Sequence, residues 1–166
     1  MKKNFTNTII KRIETKAVET GFDKLSYFNM PDATHRNPWC TDKKTGLTHI
    51  LLQSLKINTV DTDVYEAEKF NETYWQDDVR CNTKRKGNFG YVTSYTYVNG
   101  KNKTIRQAKV VTNTVGLGNK LVVDHLNGNT YDNRRINLCT CTQKANMQNK
   151  YPYKEVPAIV YPWDHE

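Results

Sequence analysis

No apolar run in the 166 residues approaches the roughly 20 that a bilayer-spanning helix needs, so no membrane partner is expected. The start Met1-Lys2-Lys3-Asn4-Phe5 is positively charged but lacks the apolar core that follows in a signal peptide, so the expected location is cytoplasmic. Cysteine is scarce: Cys40, Cys81, Cys139 and Cys141 are scattered in a way that does not resemble a disulfide framework, and a cytosolic chain keeps them reduced. Cys139 and Cys141 read by default as small buried hydrophobes, since a C-x-C spacing is less typical of zinc than C-x₂-C. A structural zinc site made from all four cysteines is the open alternative. Apolar residues are also in short supply, at 37% with a mean hydropathy of −0.80. That leaves room for one domain with a modest core, or a small module with an appended arm, in an elongated or partner-dependent shape.

Acid is the most telling shortage. Between residues 79 and 150 the acids are Asp124 and Asp132, against Arg80, Lys84, Arg85, Lys86, Lys101, Lys103, Arg106, Lys109, Lys120, Arg134, Arg135, Lys144 and Lys150. The whole chain carries a net charge of +8 and has a pI near 9.3. Lysine and arginine release counterions when they neutralise phosphates, so this balance points to a polyanionic partner.

Within that basic stretch lies Val122-Val123-Asp124-His125-Leu126-Asn127-Gly128-Asn129-Thr130-Tyr131-Asp132-Asn133-Arg134-Arg135-Ile136-Asn137-Leu138. Residues 121–123 read as a strand, the Asn-Gly and Asp-Asn dipeptides as a tight loop, and residues 138–142 as a second strand. Thr142 then caps a short helix expected to run to Lys150. A hairpin of this kind is ordinary by itself. Its chemistry is less so: a carboxylate and an amide hold a hard divalent cation through oxygen, while a neutral imidazole beside them takes a proton from water. Those are the parts needed for metal-assisted phosphodiester hydrolysis. In a regular strand Asp124 and His125 point to opposite faces, so the strand is expected to bend or end there.

Asp124-His125-Leu126-Asn127-Gly128-Asn129, Asp132-Asn133-Arg134, Asn137-Leu138 and Asn146-Met147-Gln148-Asn149-Lys150 together resemble the HNH (ββα-metal) endonucleases, in particular the phage and intron-encoded branch that ends in Asn where others have His. The resemblance covers roughly residues 119–150 and implies His125 as the base that activates water. It implies Asp124 and Asn146 as metal ligands, and Asn137 as the catalytic-loop residue that braces the loop and orients His125. An all-oxygen pair favours Mg²⁺ or Mn²⁺ over Zn²⁺. Nucleic-acid contacts are expected from Arg134, Arg135, Lys144 and Lys150, and from the basic run Lys84, Arg85 and Lys86.

The rest of the chain is read around this unit. Phe5, Ile9, Ile10, Ile13 and Ala17 form the apolar side of an amphipathic helix that Gly21 terminates. Residues 22–46 are turn-rich, with Tyr27, Phe28 and Trp39 as anchors to a core; His35 and Cys40 read as surface and packing residues before they read as metal ligands. Residues 47–57 are expected to form a second helix on Leu47, Ile50, Leu51 and Leu55, and residues 64–79 a third, acidic one. Residues 89–98 and 104–112 read as a hairpin around Asn99-Gly100. The prolines and aromatics after Lys150 read as an extended tail.

The expected fold is therefore α+β: a mainly helical region over residues 1–80, a β-hairpin plus HNH ββα-metal unit over 81–150, and a tail over 151–166. The expected function is a metal-dependent DNA endonuclease or nickase of phage or mobile-element origin, acting on double-stranded DNA in the cytoplasm of a bacterial host. The N-terminal helices or the tail would serve any homodimer or protein partner. The alternative is a non-catalytic nucleic-acid- or protein-binding protein that keeps an HNH-like scaffold.

Overall fold

The computed structural model describes residues 2–32, 36–78, 90–118, 120–148 and 155–165. Helices and small antiparallel sheets are mixed along the chain in an α+β arrangement. The chain divides into two compact units, one made of Met1–Asp77 with Ile159–Glu166, the other of Asp78–Ala158. The C-terminal residues thus rejoin the first unit.

The first unit opens with α1 (Lys2–Thr20), which buries Ile9, Ile13 and Ala17. Gly21, at φ +70°, stops it: its amide donates to Val18 O and the amide of Phe22 to Ala17 O. These two bonds satisfy carbonyls the helix would otherwise leave open, and the left-handed conformation they need is natural to glycine.

An antiparallel sheet follows, in the order β1 (Trp39–Asp42), β2 (Leu47–Leu51), β3 (Ile57–Asp61). Here the structure corrects the sequence reading, because residues 47–57 are a strand, a turn and the start of another strand rather than a helix. All five residues of β2 are buried, Thr48 and His49 as fully as Ile50 and Leu51. A strand covered on both faces loses its alternation, and Leu47, Ile50, Leu51 and Leu55 then mimic a helical stripe. Leu55 has φ +67°, which no helix accommodates.

The third helix expected over 64–79 shrinks to α2 (Thr62–Glu66) for a related reason. Ala67 is already extended, Lys69 is left-handed, and the chain is pulled inward at Trp75. The buried Asn37 accepts from the Trp75 amide at 2.8 Å and donates to the carbonyls of Trp75 and Leu51. That pairing substitutes for helical hydrogen bonds. Among the described residues of the first unit, α1 and the short α2 accompany a three-stranded sheet, where a mainly helical region was expected.

Ile9, Ile13, Phe28, Cys40 and Leu51 make the core of this unit, with Trp163 from the C-terminal residues packed against them. Trp163 stacks on Tyr161 with centroids 4.9 Å apart and meets the edge of Tyr27 at 5.3 Å. Cys40 serves as a packing residue, and burial pushes its thiol pKa up.

The chain passes to the second unit at β4 (Gln76–Asp78). Its described part continues with a hairpin of β5 (Tyr91–Val98) and β6 (Lys101–Arg106), in register from Thr93 opposite Arg106 to Val98 opposite Lys101. Asn99 at φ +50° and Gly100 at φ +74° make the turn, the twist-matched two-residue form that an Asn-Gly pair favours. The returning strand is shorter than the sequence suggests: at Gln107 it gives way to α3 (Gln107–Val111), which buries Gln107 and Ala108. β7 (Val122–His125) and β8 (Leu138–Cys141) pair antiparallel, and α4 (Gln143–Met147) follows, its first turn capped by Thr142 Oγ1 accepting from the Ala145 amide at 3.2 Å.

Candidate active site

The loop between β7 and β8 is built almost entirely from its own amides. Asn127 Oδ1 accepts from the Asn129 amide and Asn129 Oδ1 from the Tyr131 amide, two successive Asx turns. Gly128, at φ +74°, donates to His125 O and completes the bend. Asn137 is fully buried and spans the loop, with its Oδ1 accepting from the Asn127 amide at 2.9 Å and its Nδ2 donating to Asp132 O at 2.8 Å. Its backbone carbonyl accepts from the Leu126 amide. Removing this side chain would orphan groups at both ends of a buried loop.

His125 is the last residue of β7 and still pairs with Leu138, so along the strand it alternates in face with Asp124. Across the hairpin Asp124 is paired with Cys139, which gives the carboxylate the face shared by Cys139 and Cys141. Burial is the first cause of the raised Cys141 thiol pKa, reinforced by Cys139 and Asp124. His125 lies mostly buried, within 6.3 Å of the Tyr91 ring centroid to centroid. Its Nε2 is 2.7 Å from Asn133 Oδ1, and Asn133 Nδ2 donates to Gln107 Oε1 at 2.7 Å. Because Asn133 spends its NH₂ on Gln107 and turns its oxygen to the imidazole, Nε2 carries the proton. Nδ1 is then the nitrogen with the lone pair.

Burial is the main influence on His125 and holds its pKa below the ordinary histidine value. The Asn133 hydrogen bond and the charges of Asp124 and Asp132 pull the other way, while Arg106 adds to the lowering. A neutral imidazole at pH 7 follows, the form a general base requires.

The orienting contact was expected from Asn137. Asn137 instead holds the loop, and Asn133 holds the ring. Asn133 and Gln107 are the site residues that the sequence reading missed. Asn133 reads as a turn former, and Gln107 stands 26 positions away in a segment expected to be strand.

Arg134 was expected to contact nucleic acid, and the structure corrects this. It is buried in a forked pair with Asp132, Nε to Oδ1 at 2.8 Å and Nη2 to Oδ2 at 2.7 Å, and Nη2 also donates to Pro157 O. Asp132 is fully buried and accepts in addition from Asn127 Nδ2 at 2.9 Å. The pair is part of the loop's interior scaffold. Arg135 and Lys144 are exposed, while Lys84, Arg85, Lys86 and Lys150 lie outside the described residues.

Asp124 is half-buried on β7 and Asn146 half-buried on α4, and α4 packs against β7. Among the described residues no group of three or more His, Cys, Asp or Glu side chains is placed to hold a metal ion. A donor set of one carboxylate and one amide oxygen fits a hard cation of the Mg²⁺ kind. Such an ion commonly takes one or two protein oxygens and fills its remaining positions with water and substrate phosphate.

A cleft of about 630 Å³ opens beside His125, walled by β5, β6, α3 and the segment leading into β7, with Lys103, Arg106 and Lys109 along it. A neutral imidazole with a free lone pair, a carboxylate and an amide on adjoining elements, and a cationic cleft are parts suited to work on a phosphodiester.

No curated protein and no solved structure matches the chain. Residues 109–148, a stretch that contains Asp124, His125, Asn137 and Asn146, match the family model described as HNH endonuclease.

Proposed function

We propose that the protein is a divalent-metal-dependent DNA endonuclease or nickase in which His125 is the general base. The observation that carries the reading is the buried, amide-braced His125 beside a cationic cleft, its Nε2 2.7 Å from Asn133 Oδ1. His125 Nδ1 takes a proton from a water as the water oxygen forms its bond to phosphorus. The bond from phosphorus to the 3′ oxygen breaks, leaving a 5′ phosphate and a 3′ hydroxyl once the leaving oxygen gains a proton. A hard divalent ion on Asp124 and Asn146 would, when bound, stabilise the negative charge on the phosphate and on the leaving oxygen. Asp132, Arg134 and Asn137 keep the loop in shape, and Arg135 and Lys144 offer exposed charge to the DNA backbone.

Mg²⁺ or Mn²⁺ is the expected ion, because both proposed ligands are oxygens. The resemblance to the phage and intron-encoded branch supports a phage or mobile-element origin. The test is incubation of the purified protein with supercoiled plasmid, with and without Mg²⁺ or Mn²⁺. Relaxed or linear product that appears only with the ion supports the reading. Retained DNA binding with no product under either ion favours a non-catalytic binder on the same scaffold.

A further inference from the structure

Arg106 is an exposed arginine at the end of β6 that rests on an aromatic ring. Its Cζ lies over the Tyr91 ring, 4.2 Å from the centroid, and the same ring neighbours His125. Arg106 ends β6 immediately before Gln107, whose amide oxygen holds Asn133 and through it the imidazole. The aromatic contact places the Arg106 guanidinium near the proposed base, and its chain neighbour Gln107 is tied to that base through Asn133. Arg106, Tyr91 and His125 line one cleft, together with Lys103 and Lys109. Lys109 Nζ is turned aside to Gly118 O at 3.1 Å, while among the described residues no carboxylate pairs with Arg106.

An arginine seated on an aromatic face keeps the charge and the N–H edge of its guanidinium, and loses little further freedom when that edge meets a planar or tetrahedral oxyanion. A guanidinium held this way beside a general base is prepared for an anion that arrives in the cleft. The basic surroundings make a nucleic-acid backbone the fitting source of that anion.

We propose that Arg106, propped on Tyr91, is a substrate-binding residue that grips a phosphate of the DNA strand lying in this cleft, beside the bond under attack. The inference rests on the nuclease reading of His125. It assigns Tyr91 as the positioning residue for Arg106, and it accounts for an aromatic at the start of β5 whose ring serves the cleft.

The full chain tests it. In the presence of Mg²⁺, Arg106→Gln is expected to weaken binding of a duplex by about 10- to 100-fold, the loss of one charge-assisted contact. It should also reduce the slope of log Kd against log salt by about one. Tyr91→Ala, which keeps the charge but removes the prop, is expected to weaken binding without that change of slope, and Tyr91→Phe to regain most of the loss. A purely structural arginine would leave the salt slope unchanged. Wild-type nicking together with an unchanged Kd and salt slope in folded Arg106→Gln overturns this inference alone. Absence of wild-type nicking with either ion overturns the nuclease reading beneath it.

Discussion

His125 Nε2 and Asn133 Oδ1 lie 2.7 Å apart, and this contact holds the imidazole ring in place. If Asn133 orients the base, Asn133→Ala should lower single-turnover nicking by about 10- to 100-fold, the usual effect of losing a supporting partner, and leave DNA affinity nearly unchanged. Asn133→Asp keeps an acceptor in place but adds negative charge. It should raise the imidazole pKa and carry the acidic limb of the rate profile upward. A rate profile identical to wild type in both variants would remove Asn133 from the account.

The pH dependence of the unaltered protein follows from the sign of the His125 shift. Burial lowers its folded pKa beneath the ordinary value of about 6.5, so the neutral base persists below that value and activity falls only as the pH drops through the lowered one. Stability behaves in the same sense. The unfolded chain binds a proton more readily than the native one, so the contribution is present above the ordinary value and is lost as the pH falls through the folded value. Urea midpoints between pH 8 and pH 5 should decline towards the acid end, and His125→Gln should flatten that decline. An acidic limb above the ordinary histidine value would contradict the burial argument.

Asp132 and Arg134 are both buried and joined by two short bonds. Truncating either to alanine leaves an unpaired charge inside the loop and should destabilise the second unit by about 3–5 kcal/mol, measured by denaturant unfolding. Arg135→Ala, at the adjacent exposed position, should change stability by less than about 0.5 kcal/mol. Its expected effect is on DNA binding and its salt dependence instead. The two neighbouring arginines are thus predicted to separate cleanly into a structural and a binding role, and equal behaviour of the two would refute the assignment.

How much of this could be read from the sequence depended on whether the deciding interaction was local. The β7 and β8 strands, the Asn-Gly bends and the Thr142 cap are short-range signals, and each is present in the structure. Arg134 looked like a DNA contact because a charge pattern does not reveal a buried partner two residues away. The strand at residues 47–51 looked helical because burial on both faces erased its alternation. Gln107 carried no local sign at all, since its role arises only when α3 brings its amide to Asn133. Of the residues ascribed to the site by resemblance, Asp124 and Asn146 sit on elements that pack together, while the brace and the ring holder proved to be two different asparagines.

The proposed metal ligands admit a separate test. Asp124→Ala should remove nicking together with its response to Mg²⁺ or Mn²⁺, and Asn146→Ala should raise the Mg²⁺ concentration needed for half-maximal rate. A chelator should abolish wild-type nicking, and added Mg²⁺ should restore it. Undiminished Mg²⁺-dependent nicking by Asp124→Ala would move the ion to other ligands.

The account stands most directly on His125. Plasmid nicking by His125→Ala in Mg²⁺ should fall by about 10²- to 10⁴-fold, the usual contribution of a general base, while its affinity for the same duplex stays close to wild type. Nicking at the wild-type rate by that variant would contradict the claim that this imidazole activates the attacking water.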